Sequence, residues 1–231
     1  MVADELWQGR AEAMSDFAAM RRNMIDGQLF PNRVTDRPVL AAFEKVPRER
    51  FVPDQARARA YLDEHLHLGG ERYLLAPLVF ARMVQEARIR FDDVVLDVGT
   101  ATGYSAAVLG HLASAVIALE SDESLAVQAE EALTELGADN AAVVQGPLSG
   151  GWPPGGPYDI VLIQGAVPEP PEELIAQLGP EGRLLAVESQ PGAPGRVVLV
   201  EATNGNPVKR DLFDASVPPL AAFARPATFR F

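Results

Sequence analysis

The chain has 231 residues, of which 48% are hydrophobic and 23% charged, a balance that suits one large globular domain or one domain with an extension. Its formal net charge of -12 argues against nucleic acid and anionic membrane as partners, because phosphate neutralisation needs a basic face. The absence of cysteine rules out disulfides, thiolate metal sites and cysteine nucleophiles, and it fits a cytoplasmic protein.

Residues 3–29 are rich in Ala, Met, Arg and Glu, and predict a helix ending near Gly27. Its apolar positions Leu6, Met14, Phe17, Met20, Met24 and Ile25 recur at helical spacing. The start of this segment carries Asp4 and Glu5 and lacks an apolar core after a basic start, so it is not read as a secretory signal. Asp36 caps a short second helix with Pro38 in its first turn. Pro47 and Pro53 bracket the next segment, and residues 61–75 read as irregular or extended. There His65 and His67 alternate with Leu66 and Leu68, and with no third ligand nearby no metal site is expected. Pro77 opens a third helix running to about Ile89.

From Val94 the texture changes. Val94–Val98, Ala115–Leu119, Ala141–Gln145, Asp159–Gln164, Arg183–Val187 and Arg196–Ala202 read as buried strands, and Ala106–Leu112, Ser124–Leu136 and Glu172–Leu178 as helices. Nearly continuous apolar strands separated by helices predict a doubly wound, mostly parallel α/β sheet covered on both faces. Trp152, in the Gly/Pro loop 149–157, reads as a loop anchor; 190–195 is a second such loop. The acids of Glu169-Pro-Pro-Glu172-Glu173 favour a helix start. Asn204-Gly-Asn-Pro207 lies between two extended stretches and predicts an antiparallel hairpin at the sheet edge. The tail Phe223–Phe231, with Phe229 and Phe231, is read as completing a sheet edge or meeting a partner.

The chemistry-bearing segment is Leu96-Asp97-Val98-Gly99-Thr100-Ala101-Thr102-Gly103-Tyr104. A strand ends in an acid, a tight glycine turn follows, and a helix begins near Tyr104, offering free amides to an anionic group. A dinucleotide brings its own negative pyrophosphate, and Asp97 would repel it. S-adenosylmethionine brings an ammonium and a sulfonium, which Asp97 would welcome. Glu120 ends the next strand, placed to accept from both ribose hydroxyls. No Lys-Ser/Thr follows the last glycine, so the loop is not a P-loop, and it lacks the three-glycine spacing of the usual NAD site.

With these residues in view, the chain resembles the protein-L-isoaspartate O-methyltransferase family from about Met20 to Leu185. The resemblance is carried by Met24-Ile-Asp-Gly-Gln-Leu29, Val46-Pro-Arg-Glu-Arg-Phe-Val-Pro53, Ala60-Tyr61, Leu68-Gly69 and the nucleotide motif Val95–Leu109. Gly151-Trp152-Pro153, Tyr158-Asp159 and Gln177-Leu178 through Gly182-Arg183-Leu184 continue it. It implies a seven-stranded Rossmann-like sheet in a single domain over residues 1–231. Residues 1–90 would form a helical extension with substrate-side loops, and 91–231 the cofactor core with a C-terminal hairpin. It implies methyl transfer from S-adenosylmethionine, leaving S-adenosylhomocysteine, to the free carboxyl of an isoaspartyl residue in a damaged protein or peptide. A monomer is the default expectation. The implied cofactor set is Asp97, Gly99, Thr100, Ala101, Gly103, Tyr104, Glu120, Ser121 and Gly146.

Three positions depart from the family. Ala101 stands for the usual middle glycine, which is tolerable if its φ is negative. Gly146-Pro147-Leu148 stands for Gly-Asp-Gly. Tyr73-Leu74-Leu75-Ala76-Pro77 stands for Thr-Ile-Ser-x-Pro, so both loop hydroxyls are missing from their usual positions. A carboxylate nucleophile is already ionised at pH 7 and needs no general base, but it must be held. Either Arg72 or Tyr73 takes over that task, or the chain is a divergent cofactor-binding protein with another acceptor or no repair activity.

Overall fold

The computed structural model describes residues 16–190, 193–203 and 206–224. The chain enters on helix α1 (16–24), whose turns widen through Ile25–Leu29 and tighten again over Phe30–Asn32. The winding therefore runs through Gly27 instead of stopping there, and the chain leaves it through a left-handed Arg33 at φ 71°. The expected start of this helix, with Leu6 and Met14, lies outside the described residues. Asp36 caps α2 (Arg37–Lys45), its Oδ1 accepting from Val39 N at 3.1 Å, an interaction worth about 1 kcal/mol. After two short turns, Arg48–Phe51 and Asp54–Arg59, the segment read as irregular or extended is extended over Leu66–Leu74, as a small antiparallel hairpin of β1 (Leu66–Gly69) and β2 (Arg72–Leu74). Helix α3 (Pro77–Ala87) follows and stops at a left-handed Arg88.

Seven strands then build the main sheet: β3 (Val94–Val98), β4 (Ala115–Glu120), β5 (Ala141–Gln145), β6 (Tyr158–Val167), β7 (Leu178–Glu188), β8 (Arg196–Thr203) and β9 (Asn206–Asp214). Helices α4 (Tyr104–Gly110), α5 (Glu123–Glu135) and α6 (Glu172–Ile175) connect them. The order across the sheet is β5-β4-β3-β6-β7-β8-β9, with the first five parallel and β8 and β9 antiparallel. The chain runs outward from β3 in one direction, then returns to lay β6 on its other side. The crevice beyond the carboxyl ends of β3 and β6 is thus the switch point where α/β sheets hold ligands.

The expected helix over 172–178 is one turn, Glu172–Ile175, because Leu178 already pairs with Tyr158 and begins β7 five residues before the predicted Arg183. The expected β8–β9 hairpin is present; two of its turn residues lie outside the described residues, as do residues 225–231 of the tail.

Alternation along the strands explains their unbroken apolar texture. Val95, Val116, Ala118, Ile160, Leu162, Leu185 and Val187 face one core, shared with α2 to α5 and the N-terminal turns. Leu96, Val98, Leu119, Val161, Ile163, Leu184 and Ala186 face the other, with Leu148, Leu174 and Leu220. Both faces are covered over the central strands, which leaves little room for polar residues there, whereas the edge strand β9 is exposed and carries Lys209, Arg210 and Asp211. The exceptions on the central strands sit toward their carboxyl ends. By the same parity Asp97, Glu120 and Gln164 all emerge on the first face, beneath the N-terminal extension.

Candidate functional site

Asp97, Glu120 and Gln164 lie toward the carboxyl ends of three neighbouring parallel strands, Gln164 three residues before the end of β6, and are buried. Gln164 Nε2 donates to Asp97 Oδ1 at 2.7 Å, and Ser105 Oγ donates to Asp97 Oδ2. Burial pushes the Asp97 carboxyl up to about 6, against the pull of hydrogen bonds from Ser105 and Gln164. The cost of ionising it is relieved by a cationic ligand. Gln164 was not singled out in the sequence, because nothing distinguishes it until β3 and β6 are known to be neighbours.

The turn after Asp97 is set by backbone need. Gly99 (φ 79°) and Gly103 (φ 90°) are left-handed. A Cβ on Gly103 would lie 3.1 Å from the Cβ of Ala129, so this glycine lets α5 close on the loop. Ala101 is also left-handed, at φ 51°. The negative angle that would make alanine comfortable there is not adopted; the residue bears strain of about 1–2 kcal/mol instead. The strain is held by its amide, which donates to Glu120 Oε2 at 3.0 Å.

Glu120 is crowded with donors. Its Oε1 accepts from Ser121 N (2.7 Å) and Asp122 N (3.0 Å), and Oε2 from Ala101 N. Arg72 Nε sits 3.2 and 3.3 Å from the two oxygens, its Nη2 lies 3.1 Å from Oε1, and that Nη2 also donates to Ser121 Oγ at 2.8 Å. Arg72, expected near a substrate carboxylate, thus forms a buried ion pair across to the end of β4. Tyr73 is half-buried with its ring 5.1 Å from that of His67. Leu75 is buried.

Other expected residues fall around this centre. Thr100 and Ser105 hydroxyls lie 3.4 Å apart beside Asp97. The Tyr104 ring packs in a cluster with Phe43, Phe51 and Phe80. Gly146 N donates to Glu120 O, and a Cβ there would touch Trp152 at 3.4 Å. Trp152 anchors its loop, as expected: its amide donates to Gln177 Oε1 and its carbonyl accepts from Tyr158 OH. The C-terminal segment closes the crevice. Ala166 N donates to Pro218 O and Leu220 N to Ala166 O, and Leu220 lies against Gly99 and Gly165. His65 ties this strap to the substrate-side loop, donating through Nε2 to Ser216 O (2.8 Å) and accepting from Ala76 N on Nδ1 (2.9 Å).

Comparison with known proteins bears directly on this arrangement. The model of the protein-L-isoaspartate(D-aspartate) O-methyltransferase family matches residues 20–209. A protein-L-isoaspartate O-methyltransferase of Synechococcus sp. is 41% identical over 174 residues, 75% of this chain and 71% of its own length. A second, of Anaeromyxobacter sp., is 42% identical over 165 residues, covering 71% of this chain and 68% of its own. A solved protein-L-isoaspartate O-methyltransferase, 24% identical, superposes with a TM-score of 0.75 over 87% of this chain, which spans 65% of that one. The same score and the same share of this chain are found for a protein assigned as a beta-aspartate methyltransferase of Plasmodium falciparum, solved in complex with S-adenosyl-L-homocysteine; it is 18% identical and 97% covered. These two likenesses establish the doubly wound fold, and the family match with the two bacterial relatives establishes kinship: the chain belongs to the protein-L-isoaspartate(D-aspartate) O-methyltransferase family.

Proposed function

We propose that this chain transfers the methyl group of S-adenosylmethionine to the free carboxylate of isoaspartyl residues in proteins or peptides. The observation that carries the reading is the pair of buried acids, Asp97 and Glu120, on one face of adjacent strand ends with a left-handed glycine turn between them. That pair of acceptors fits a ligand bearing a cationic amino acid and a ribose diol, and it opposes a pyrophosphate. Bound there, the cofactor supplies a methyl carbon already activated by a sulfonium.

The protein's own contribution is placement. Asp97, positioned by Ser105 and Gln164, offers its charge to the cationic end. Glu120 offers its carboxylate to the diol, but a carboxylate has about four lone-pair sites and these are taken. Glu120 accommodates the diol when Arg72 withdraws. Arg72 and Tyr73 are then the polar side chains that the substrate-side loop presents to an acceptor. Gly99, Thr100, Ala101, Gly103, Tyr104, Ser121 and Gly146 line the remainder of the site, largely through backbone. No side chain has to remove a proton, since the nucleophile is ionised; alignment of nucleophile, methyl carbon and sulfur is the catalytic task. The division of labour follows the chain: residues 1–90 serve the acceptor and 91–231 the cofactor, within a single domain.

Incubation with labelled S-adenosylmethionine and an isoaspartyl peptide tests this. Methyl ester above a denatured control is expected; none, with cofactor binding intact, removes the repair reading. A second reading is favoured by Leu75, buried at the position where the family carries a loop hydroxyl. On that reading the chain binds the cofactor but methylates another acceptor or none. Restoring hydroxyls with Tyr73→Thr and Leu75→Ser separates the two: appearance of ester only in the altered protein supports the second. We place the protein in the cytoplasm on its lack of cysteine, with a monomer as the default; among the described residues no helix is long and apolar enough to cross a membrane.

A further inference from the structure

Among the described residues three buried side-chain polar atoms have no hydrogen-bond partner: Gln28 Oε1, Arg48 Nη1 and Tyr104 OH. Two of the three meet at one place. Arg48, from the Val46–Pro53 segment, is fully buried, and its Cζ lies 4.9 Å from the centroid of the Tyr104 ring. Its Nε donates to Ala60 O at 2.7 Å and its Nη2 to Leu75 O at 2.6 Å. Both partners are neutral carbonyls. No carboxylate among the described residues forms an ion pair with it; its favourable neighbours are the Tyr104 hydroxyl first, then Tyr61 and Asp63 through space, and Asp63 Oδ1 accepts from Leu78 N.

A buried cation without a counter-ion costs several kcal/mol, and buried charges are ordinarily paired. Burial lowers the pKa of Arg48 and is the largest cause raising that of Tyr104, against the opposite pull that each exerts on the other. Arg48 Nη1 can only donate, whereas the Tyr104 hydroxyl both accepts and donates and can turn its proton toward the same point. Their complement is an anion with two acceptor oxygens. The small cavity that Arg48 and Tyr104 line is completed by Tyr73, Leu75, Ser105 and Gln164, with the nucleotide turn at its edge. It therefore lies between the loop that should hold the acceptor and the loop that should hold the cofactor.

We propose that Arg48 Nη1 and Tyr104 OH form a buried carboxylate-binding subsite between the 73–75 loop and the nucleotide turn. The inference rests on the methyl-transfer reading for its ligands: the carboxylate belongs either to the methyl acceptor or to the amino-acid end of the cofactor. Occupancy is coupled to the loop, because Leu75 O is bound to the same guanidinium. Neither orphaned atom reaches the surface, so Tyr73 and Leu75 must swing aside to admit the ligand. The subsite also accounts for a hydroxyl-poor loop in a chain of this family, since a charge-assisted pair replaces the hydroxyl donors.

The test uses the full chain with Tyr104→Phe and Arg48→Lys. Three quantities are followed: the Kd of S-adenosylmethionine, the Kd and KM of an isoaspartyl peptide, and Tm. Tyr104→Phe removes only an unpartnered hydroxyl, so Tm holds or rises, while carboxylate binding weakens about tenfold. A rise confined to the peptide constants assigns the subsite to the acceptor; a rise confined to the cofactor Kd assigns it to the cofactor. If Tyr104→Phe leaves every constant unchanged, the proposal is overturned and Arg48 merely ties Ala60 to Leu75. This variant decides even if Arg48→Lys does not fold. Should the unaltered chain form no ester, the methyl-transfer reading fails on its own, and the two Kd values still decide the subsite.

Discussion

Asp97, Glu120 and Gln164 leave the main sheet from adjacent parallel strands, whereas Arg72, Tyr73 and Leu75 hang on a hairpin whose strands have four and three residues. The first group is fixed by seven strands and two cores. The second is fixed by a handful of cross-links: Arg72 to Glu120, Leu75 O to Arg48 and Ala76 N to His65. The cofactor side is thus rigid by construction. The substrate side is held by polar bonds that a ligand can exchange for its own.

Breaking the strongest cross-link gives the largest expected effect. Arg72→Ala leaves Glu120, fully buried, without its counter-ion, and should cost about 3–5 kcal/mol of stability in denaturant unfolding. Glu120→Gln in that background should restore most of it. Arg72→Ala should also tighten S-adenosylmethionine binding, because it removes the group that occupies Glu120. A stable Arg72→Ala variant with only a raised peptide KM would instead make Arg72 a substrate residue in the resting protein, and the contrast between the two sides would collapse.

Asp97 tests the rigid side. Its folded pKa of about 6 lies above the ordinary 3.8, so the folded chain holds the proton more tightly than the unfolded chain. Its contribution to stability therefore falls as pH rises from about 4 to 6, and the penalty is complete above that. Asp97→Asn stays neutral, and should be more stable than the parent by on the order of 3 kcal/mol at pH 7.5, with the difference vanishing near pH 4. A pH-independent difference would show that the carboxylate is not strained by burial. Affinity should move the other way: Asp97→Ala and Glu120→Ala should each weaken cofactor binding by about 1–3 kcal/mol in calorimetry. Unchanged affinity in both would place the ligand elsewhere.

The same contrast explains what the sequence could disclose. β3 was legible to the residue because both faces of the central sheet are covered; β5, a partly exposed edge strand, was legible from its short apolar run between turn residues. Asp97 and Glu120 were legible as the first polar residues after such runs. The hairpin was not, since three or four residues cannot establish a period. Arg48 was quoted within a motif, yet nothing in Val-Pro-Arg-Glu-Arg distinguishes a buried arginine from the exposed Arg50 two residues on. That difference is made by Ala60, Leu75 and Tyr104, all distant in sequence. Arg72 reached Glu120 for the same reason: the pairing spans 48 residues and needs the fold to bring it about.

The smallest expected effect concerns Ala101, where the two sides touch. Its amide feeds Glu120 and its methyl is buried, while its φ of 51° is one that alanine tolerates poorly. Ala101→Gly loses about 0.8 kcal/mol of methyl burial and recovers about 1–2 kcal/mol of left-handed strain, so its net effect should stay within about 1 kcal/mol. Ala106, equally buried but inside α4, carries no such strain. Ala106→Gly should lose the methyl and about 1 kcal/mol of helix propensity besides. The two glycine variants should therefore differ by about 2–3 kcal/mol in urea unfolding, with Ala101→Gly the more stable. Equal losses at both positions would mean that the turn around Ala101 stores no strain, and that Glu120 accepts its amide without forcing the backbone.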